Sequence, residues 1–335
     1  MSRKRSKTKG ITSIEVAKKA GVSQATVSRV FTNDPSVREK TKEKVMEAAE
    51  VLGYKPNQLA SSLSSNKSNI IAVVLSDVTN RFYTKVFAYL TQCLQQFNKQ
   101  VLFFQMRSEQ DISYIINRVM EYRVDGLVIA SPALPNEIAE ECLKVNIPIV
   151  LFNRKVKDLD VLSVCSDSVE AGRMIANYFL DHHYTRFGFI GGRTTTTSGE
   201  RKKGYLDRLA ERGVTECIVE EGDYLYDVGR AHMNRIFQRE NPPNAVFCAN
   251  DIIAMGAVDA ARFDLKLQIP KDVAIIGFDD IDISGWESYA ITTIRQPMKE
   301  MVEEVSNYFY ELEQNNTPQK GLRLFPCEMV ERKTT

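Results

Sequence analysis

The sequence predicts a small all-α unit joined to a large α/β body with doubly wound parallel sheets. Three observations carry this expectation. Residues 12–53 hold three short amphipathic patterns punctuated by helix caps and glycines. From Ile70 onward, short apolar runs alternate with amphipathic helical stretches. The charge is also divided unevenly: residues 1–66 carry 13 Lys+Arg against 6 Asp+Glu, although the whole 335-residue chain has a formal net charge of +1. A basic segment on an acidic body is the footprint of a nucleic-acid-binding unit.

Thr12 opens a capping box with Glu15, and Val16, Ala17 and Ala20 follow on helical spacing. Gly21 stops this helix, and Ser23 is placed to cap a second one over Gln24–Val30 with Val27 and Val30 inward. Two short helices separated by Ala20-Gly21-Val22-Ser23 read as a helix-turn-helix. A capping box at Ser36 and Glu39 is expected to open a third helix, which Gly53 ends. So few residues enclose only a small core, fit for a binding headpiece rather than a catalytic domain. In a helix-turn-helix the start of the second helix enters the major groove, which makes Gln24, Ala25, Thr26, Ser28 and Arg29 the candidate base readers, with Thr12 and Ser23 at the helix starts beside them. Gln can address adenine and Arg guanine, each through two hydrogen bonds. A helical hairpin with no DNA role is the plain alternative, and it leaves the charge asymmetry unexplained.

The stretch IEVAKKAGVSQATVSR (Ile14 to Arg29) and the later YKPNQLASSL (Tyr54 to Leu63) resemble the headpiece and hinge of the lactose/galactose repressor family. The resemblance implies a hinge helix that orders on operator DNA, with Leu63 wedged into the minor groove and Asn57 and Ala60 beside it. Ser61 stands where many members have Arg. The Ser/Asn-rich hinge would be a poor free helix.

In the body, apolar runs at Ile70–Leu75, Val101–Phe104, Leu127–Ala130, Ile147–Phe152, Phe187–Ile190, Ala245–Ala249 and Val273–Gly277 read as strands. They suffice for two parallel sheets, hence two lobes and a cleft. Ligands of such sheets bind beyond the strand carboxyl ends. Polar residues gather there: Asp77, Asn153-Arg154, Gly191-Gly192-Arg193, Asn250-Asp251 and Asp279-Asp280. Each alone is as readily a helix cap or a turn residue.

The same resemblance spans almost the whole chain and implies a body of the type I periplasmic-binding-protein kind. It implies effector contacts from Asp77, Phe82, Tyr83 and Asn153 in the first lobe, and from Arg201, Tyr224, Asn250, Asp279 and Gln296 in or beside the second. Carboxylates, amides, an Arg fork and aromatic faces suit a sugar; Phe82 and Tyr83 can equally be helix packing. Arg81 stands where relatives often have Pro and Asn153 where many have Asp, which leaves room for a charged sugar derivative. The implied organisation is a headpiece over 1–56, a hinge over 57–69 and a body over 70–335. Lobe 1 is expected at about 70–166 and 297–320, and lobe 2 at about 167–296 and 321–335.

The implied function is a transcription regulator, a repressor binding a palindromic operator as a homodimer under control of a sugar-like effector. A purine corepressor is the nearest alternative, and a sugar-binding protein without a DNA role is a further one. An enzyme is not expected: there is no Walker loop and no G-x-G-x-x-G, and His182, His183 and His232 have no metal-site spacing. The six cysteines form no C-x-x-C pair, so neither metal nor cofactor is expected. No apolar run reaches the roughly 18 residues of a membrane span, and no signal-peptide core follows the basic N-terminus, so a cytoplasmic location is expected.

Overall fold

The computed structural model describes residues 11–32, 34–55, 67–75, 78–106, 111–130, 137–144, 146–156, 159–192 and 196–335. The chain divides into two compact units, Met1–Asn69 and Ile70–Thr335. In the first unit, α1 spans Ser13–Ala20, α2 Gln24–Phe31 and α3 Glu39–Leu52. Thr12 and Glu15 form the reciprocal capping box, with Thr12 N–H donating to Glu15 Oε2 at 2.7 Å. Gly21 and Gly53 close α1 and α3 at φ 68° and 64°, where glycine carries no Cβ penalty. Ser23 Oγ accepts the Thr26 N–H at 3.1 Å and caps α2. The Ser36 capping box does not form. Ser36 N–H donates to Asp34 Oδ1 at 2.8 Å in a turn around Pro35, and α3 starts after Arg38 with no side-chain cap. Val16, Ala17, Val27, Val30, Val45, Ala48 and Ala49 make the buried core.

The second unit contains two six-stranded sheets. The first joins β1 (Ile70–Leu75), β2 (Gln100–Gln105), β3 (Gly126–Ala130), β4 (Ile149–Phe152), β5 (Leu162–Ser166) and β11 (Gly321–Phe325) in the order β11-β5-β4-β3-β1-β2. The second joins β6 (Phe187–Gly192), β7 (Cys217–Gly222), β8 (Ala245–Cys248), β9 (Ala274–Phe278), β10 (Thr292–Arg295) and β12 (Glu328–Val330) in the order β12-β10-β9-β8-β6-β7. Neighbours run parallel, except that β12 is antiparallel to β10. Around the sheets lie α4 (Arg81–Gln96), α5 (Asp111–Glu121), α6 (Glu137–Lys144), α7 (Ser168–Asp181), α8 (Thr196–Glu211), α9 (Tyr226–Ile236), α10 (Asp251–Asp259) and α11 (Met298–Glu313).

The chain passes between sheets after β5, after β10, and again between β11 and β12. The expected place of residues 321–335 in the second lobe is therefore corrected in part. Gly321–Phe325 pairs with Leu162–Ser166 and belongs to the first sheet, and only the segment after it returns to the second. The backbone of β11 takes up the hydrogen-bonding groups of β5 in parallel register, and β11 becomes the edge of the first sheet.

Close helix packing sets the second lobe. A Cβ at Gly172 would run into the backbone carbonyl of Arg201, and one at Gly204 into that of Val169, so α7 and α8 touch backbone to backbone. Gly204→Ala should force these helices apart and cost about 1–3 kcal/mol, as overpacking does. The measurement is the urea midpoint of the full chain, which should fall relative to wild type.

Candidate functional site

In the first unit, Val27 and Val30 turn inward, so α2 presents Gln24, Ala25, Ser28 and Arg29 to solvent, with Thr12 and Ser23 also exposed. Thr26 is half-buried, and its hydroxyl lies 2.9 Å from Ser23 Oγ within the cap. Gln24 Nε2 donates to Ser13 Oγ at 3.0 Å, which tethers the Gln24 amide at the start of α1. The Arg29 side chain is 61% exposed, with Asp34 as a 4.0 Å ion partner. This is a free polar face on a short, well-capped helix. Asn57, Ala60 and Leu63 lie outside the described residues, as do Asp77 and Arg193.

In the second unit, the strand ends of the two sheets converge on one polar chain. Asn153, just past β4, is buried at φ 52°. Its Oδ1 accepts the Ser166 N–H at 3.2 Å, and its Nδ2 donates to Gln296 Oε1 at 2.7 Å. Gln296, where the chain leaves β10, donates through Nε2 to Asp279 Oδ1 at 2.6 Å. The two lobes are thus joined at the cleft floor by side-chain amides ending on a carboxylate. Arg201 of α8 completes the line. Its Nη1 donates to the Ala249 carbonyl at 2.7 Å, its Nη2 reaches Asp279 Oδ1 at 3.5 Å, and its guanidinium lies 3.6 Å from the Phe278 ring centroid. Among the described residues, Arg201 Nε is buried without a hydrogen-bond partner. A buried donor left open by the fold can take an acceptor from a water or from a ligand.

The aromatic residues stand around this line. Phe82 and Tyr83 of α4 are buried edge to face, 5.4 Å apart. Burial, then the nearby Asp279 charge, pushes the Tyr83 hydroxyl pKa upward, so it stays a neutral donor. The half-buried Tyr224 ring covers Gly192, where any Cβ would strike it. Burial also pushes the Asp279 carboxyl up to about 6, with Arg201 and Gln296 opposing. Asn250 behaves as a helix cap: its Oδ1 accepts the Ile253 N–H at 2.9 Å. A cavity of about 650 Å³ opens beside the line, with Phe82, Asp279, Gln296, Met298 and Phe325 in its wall.

Cross-lobe ion pairs had no sequence signal. Lys85 of α4 meets Asp282 at 2.9 Å, and Lys155, after β4, meets Glu200 of α8 at 2.6 Å. In the sequence, Asp251 carries no signal beyond its place next to Asn250 after β8. It is wholly buried; its Oδ2 accepts the Ile281 N–H at 2.8 Å and its Oδ1 the Thr293 hydroxyl at 2.5 Å. Among the described residues no group of His, Cys, Asp and Glu is arranged to hold a metal, and no helix is long and apolar enough to cross a membrane.

Comparison with known proteins places both units. Residues 14–57 match the family described as "Bacterial regulatory proteins, lacI family", and residues 176–335 match a "Periplasmic binding protein-like domain". The chain is 31% identical over 293 residues to Catabolite control protein A of Priestia megaterium, covering 86% of this chain and 88% of that one. The chain belongs to the LacI family. It is 32% identical over 296 residues to the probable HTH-type transcriptional repressor ExuR of Bacillus subtilis (strain 168), covering 87% and 88% of the two chains. Its structure superposes on the Lac repressor dimer bound to operator and the anti-inducer ONPF with a TM-score of 0.88 at 25% identity, covering 97% and 99%. As a LacI-family member it is a DNA-binding transcription regulator and not an enzyme. The helix-turn-helix and the two-sheet body have the architecture expected from the sequence.

Proposed function

We propose that this regulator is a repressor that binds a palindromic operator as a homodimer, and that a sugar or sugar derivative in the interlobe cleft alters its DNA affinity. The observation that carries this is the buried Arg201 Nε, which has no hydrogen-bond partner among the described residues, on a guanidinium whose Nη2 lies 3.5 Å from Asp279, with Tyr83 nearby. A polyhydroxylated ring meets such a site on three counts: its oxygens accept from Arg201, its hydroxyls donate to Asp279, and its C–H faces cover the aromatic rings. Phe82, Asp279 and Gln296 also wall an adjoining cavity of about 650 Å³, a volume within the range of small-molecule sites, although Arg201 and Tyr224 do not line it.

Within the headpiece, Gln24, Ala25, Ser28 and Arg29 are the proposed base readers, and Thr12, Ser23 and Thr26 hold the helix starts against the DNA backbone. Asn57, Ala60 and Leu63 are proposed as the hinge contacts. One such helix reads few bases, so two half-sites and two chains follow from symmetry. The Lac repressor, which this structure resembles, was solved as a dimer on operator. On this chain, edge strand β2 with Phe103, and α5 with Tyr114 and Met120, offer exposed apolar surface for a second copy.

Titration calorimetry against neutral hexoses, disaccharides, sugar acids and purine bases tests the ligand. Saturable heat from one sugar class is the expected result, whereas saturable heat from a purine alone would replace the sugar with a corepressor. Sedimentation with a palindromic duplex should give two chains per duplex. A single chain holding one half-site at full affinity would contradict the dimer.

A further inference from the structure

We propose that Asp251 is a positioning residue of the effector cleft: it clamps the turn that carries Asp279 and couples that turn to a proton. The inference rests on the proposed role of Asp279 in holding the effector.

The turn after β9 is unusual. Asp279 has φ 108° and Asp280 φ 51°, two consecutive non-glycine residues at positive φ. Such a backbone persists only where its surroundings over-determine it. Three sets of bonds do so here. Asp279 is held by Gln296 and Arg201, and Asp280 is turned away to Arg295 and Arg332 at 2.6 and 2.5 Å. The next residue, Ile281, gives its N–H to Asp251 Oδ2, while Asp251 Oδ1 takes the Thr293 hydroxyl from β10. One carboxylate at the start of α10 therefore binds the turn after β9 to the neighbouring strand. A Cβ at position 277 would collide with Asp251 Oδ1, so Gly277 leaves the space that this carboxylate fills. The first turn of α10 also favours its negative charge.

The groups around the clamp are few. Thr293 faces Asp251 from β10, Ser284 from the short helical turn Asp282–Gly285, Cys248 from β8, and Asp279 across the turn. Around Asp279 stand Arg201 of α8, Tyr83 of α4, Gln296 and Cys327. Two carboxylates thus share the interior with the Arg201 guanidinium close to only one of them. Burial, then the Asp279 charge, pushes the Asp251 carboxyl up to about 7, with the Thr293 and Ile281 bonds opposing. As the pH falls through 7, Asp251 takes a proton and its acceptance of the Ile281 N–H weakens. The turn then holds Asp279 less firmly. Linkage has the sign of a raised acid: the cost of the buried charge is full above pH 7 and vanishes as the pH falls to the ordinary aspartate range.

The experiment needs no effector, so its failure is distinguishable from a failure of the sugar assignment. Trp286, the only tryptophan in the sequence, lies five residues beyond Ile281 with its ring exposed, and its backbone N–H donates to the Ile283 carbonyl at 3.0 Å. Its emission in the full-length protein is followed from pH 5 to 8.5. Wild type should show a step near 7, Asp251→Asn should lose that step and keep at most the lower one of Asp279 near 6, and Thr293→Val should move the upper step upward by removing a bond to the ionised form. Hydrogen exchange at pH 8 should be at least about tenfold faster over residues 279–281 in Asp251→Ala. No step in wild type, an unmoved step in Asp251→Asn, or unchanged exchange in Asp251→Ala would each overturn the proposal. If Asp251→Ala fails to fold, the Asp251→Asn and Thr293→Val profiles still decide it.

Discussion

Arg201→Ala is expected to abolish the effector response while leaving the operator affinity of the ligand-free chain within about twofold. The side chain is buried and belongs to the body, where it donates to the Ala249 carbonyl, lies beside Asp279 and stacks on Phe278. Its removal takes away the orphan Nε donor and strips the Asp279 carboxylate of its nearest cation. Leaving a buried polar ligand group unpaired costs about 1–3 kcal/mol, and more when charge is involved, so effector affinity should fall at least tenfold. Arg201→Lys restores a positive charge but not the planar fork or the stacking, and should recover only a small part of that loss. Calorimetry with the sugar class found for wild type, beside anisotropy on operator DNA, separates the two functions. Normal effector affinity in Arg201→Ala would move the site elsewhere in the cleft.

Arg29→Ala has the second large expected effect, a loss of about 1–3 kcal/mol on the preferred operator with little change on random duplex, as removal of a two-bond base contact predicts. Arg29 is exposed on α2, and its one ion partner among the described residues is Asp34 at 4.0 Å. An exposed cation such as Lys18 instead matches a phosphate contact. Lys18→Ala should weaken all sequences alike and reduce the salt slope by roughly one. Equal loss on operator and random DNA in Arg29→Ala would make Arg29 a backbone contact.

The parts of this fold legible in the sequence are those whose cause is local. Thr12, Ser23, Gly21 and Gly53 cap their helices through bonds to residues only a few positions away. Ser36 looked equally competent, yet Asp34 took its N–H and the helix began later. Strands buried on both faces, such as β1, β3 and β9, appear as continuous apolar runs. Leu162–Ser166 carries two serines, and Cys217–Gly222 and Gly321–Phe325 are edge-side strands with exposed side chains, so none presents such a run. α8 is polar along most of its length and is held by the Gly172 and Gly204 approach, which only tertiary structure reveals. In the cleft, Asn153 and Asp279 stood out because they follow apolar strands, Gln296 was implied by the family resemblance alone, and the structure bonds the three in one line. Lys155, Glu200 and the clamp made by Asp251 depend on partners 30 or more positions away, so no spacing in the sequence could announce them.

The central claim is that the headpiece reads a two-fold DNA sequence on behalf of the body. Selection of bound duplexes from a random pool, followed by anisotropy at fixed salt with the full chain and with residues 67–335, tests it most directly. A palindromic consensus should emerge, bound at least about a thousandfold more tightly than random DNA by the full chain, and residues 67–335 should not bind it. No consensus, or a truncated chain that retains the affinity, would contradict it.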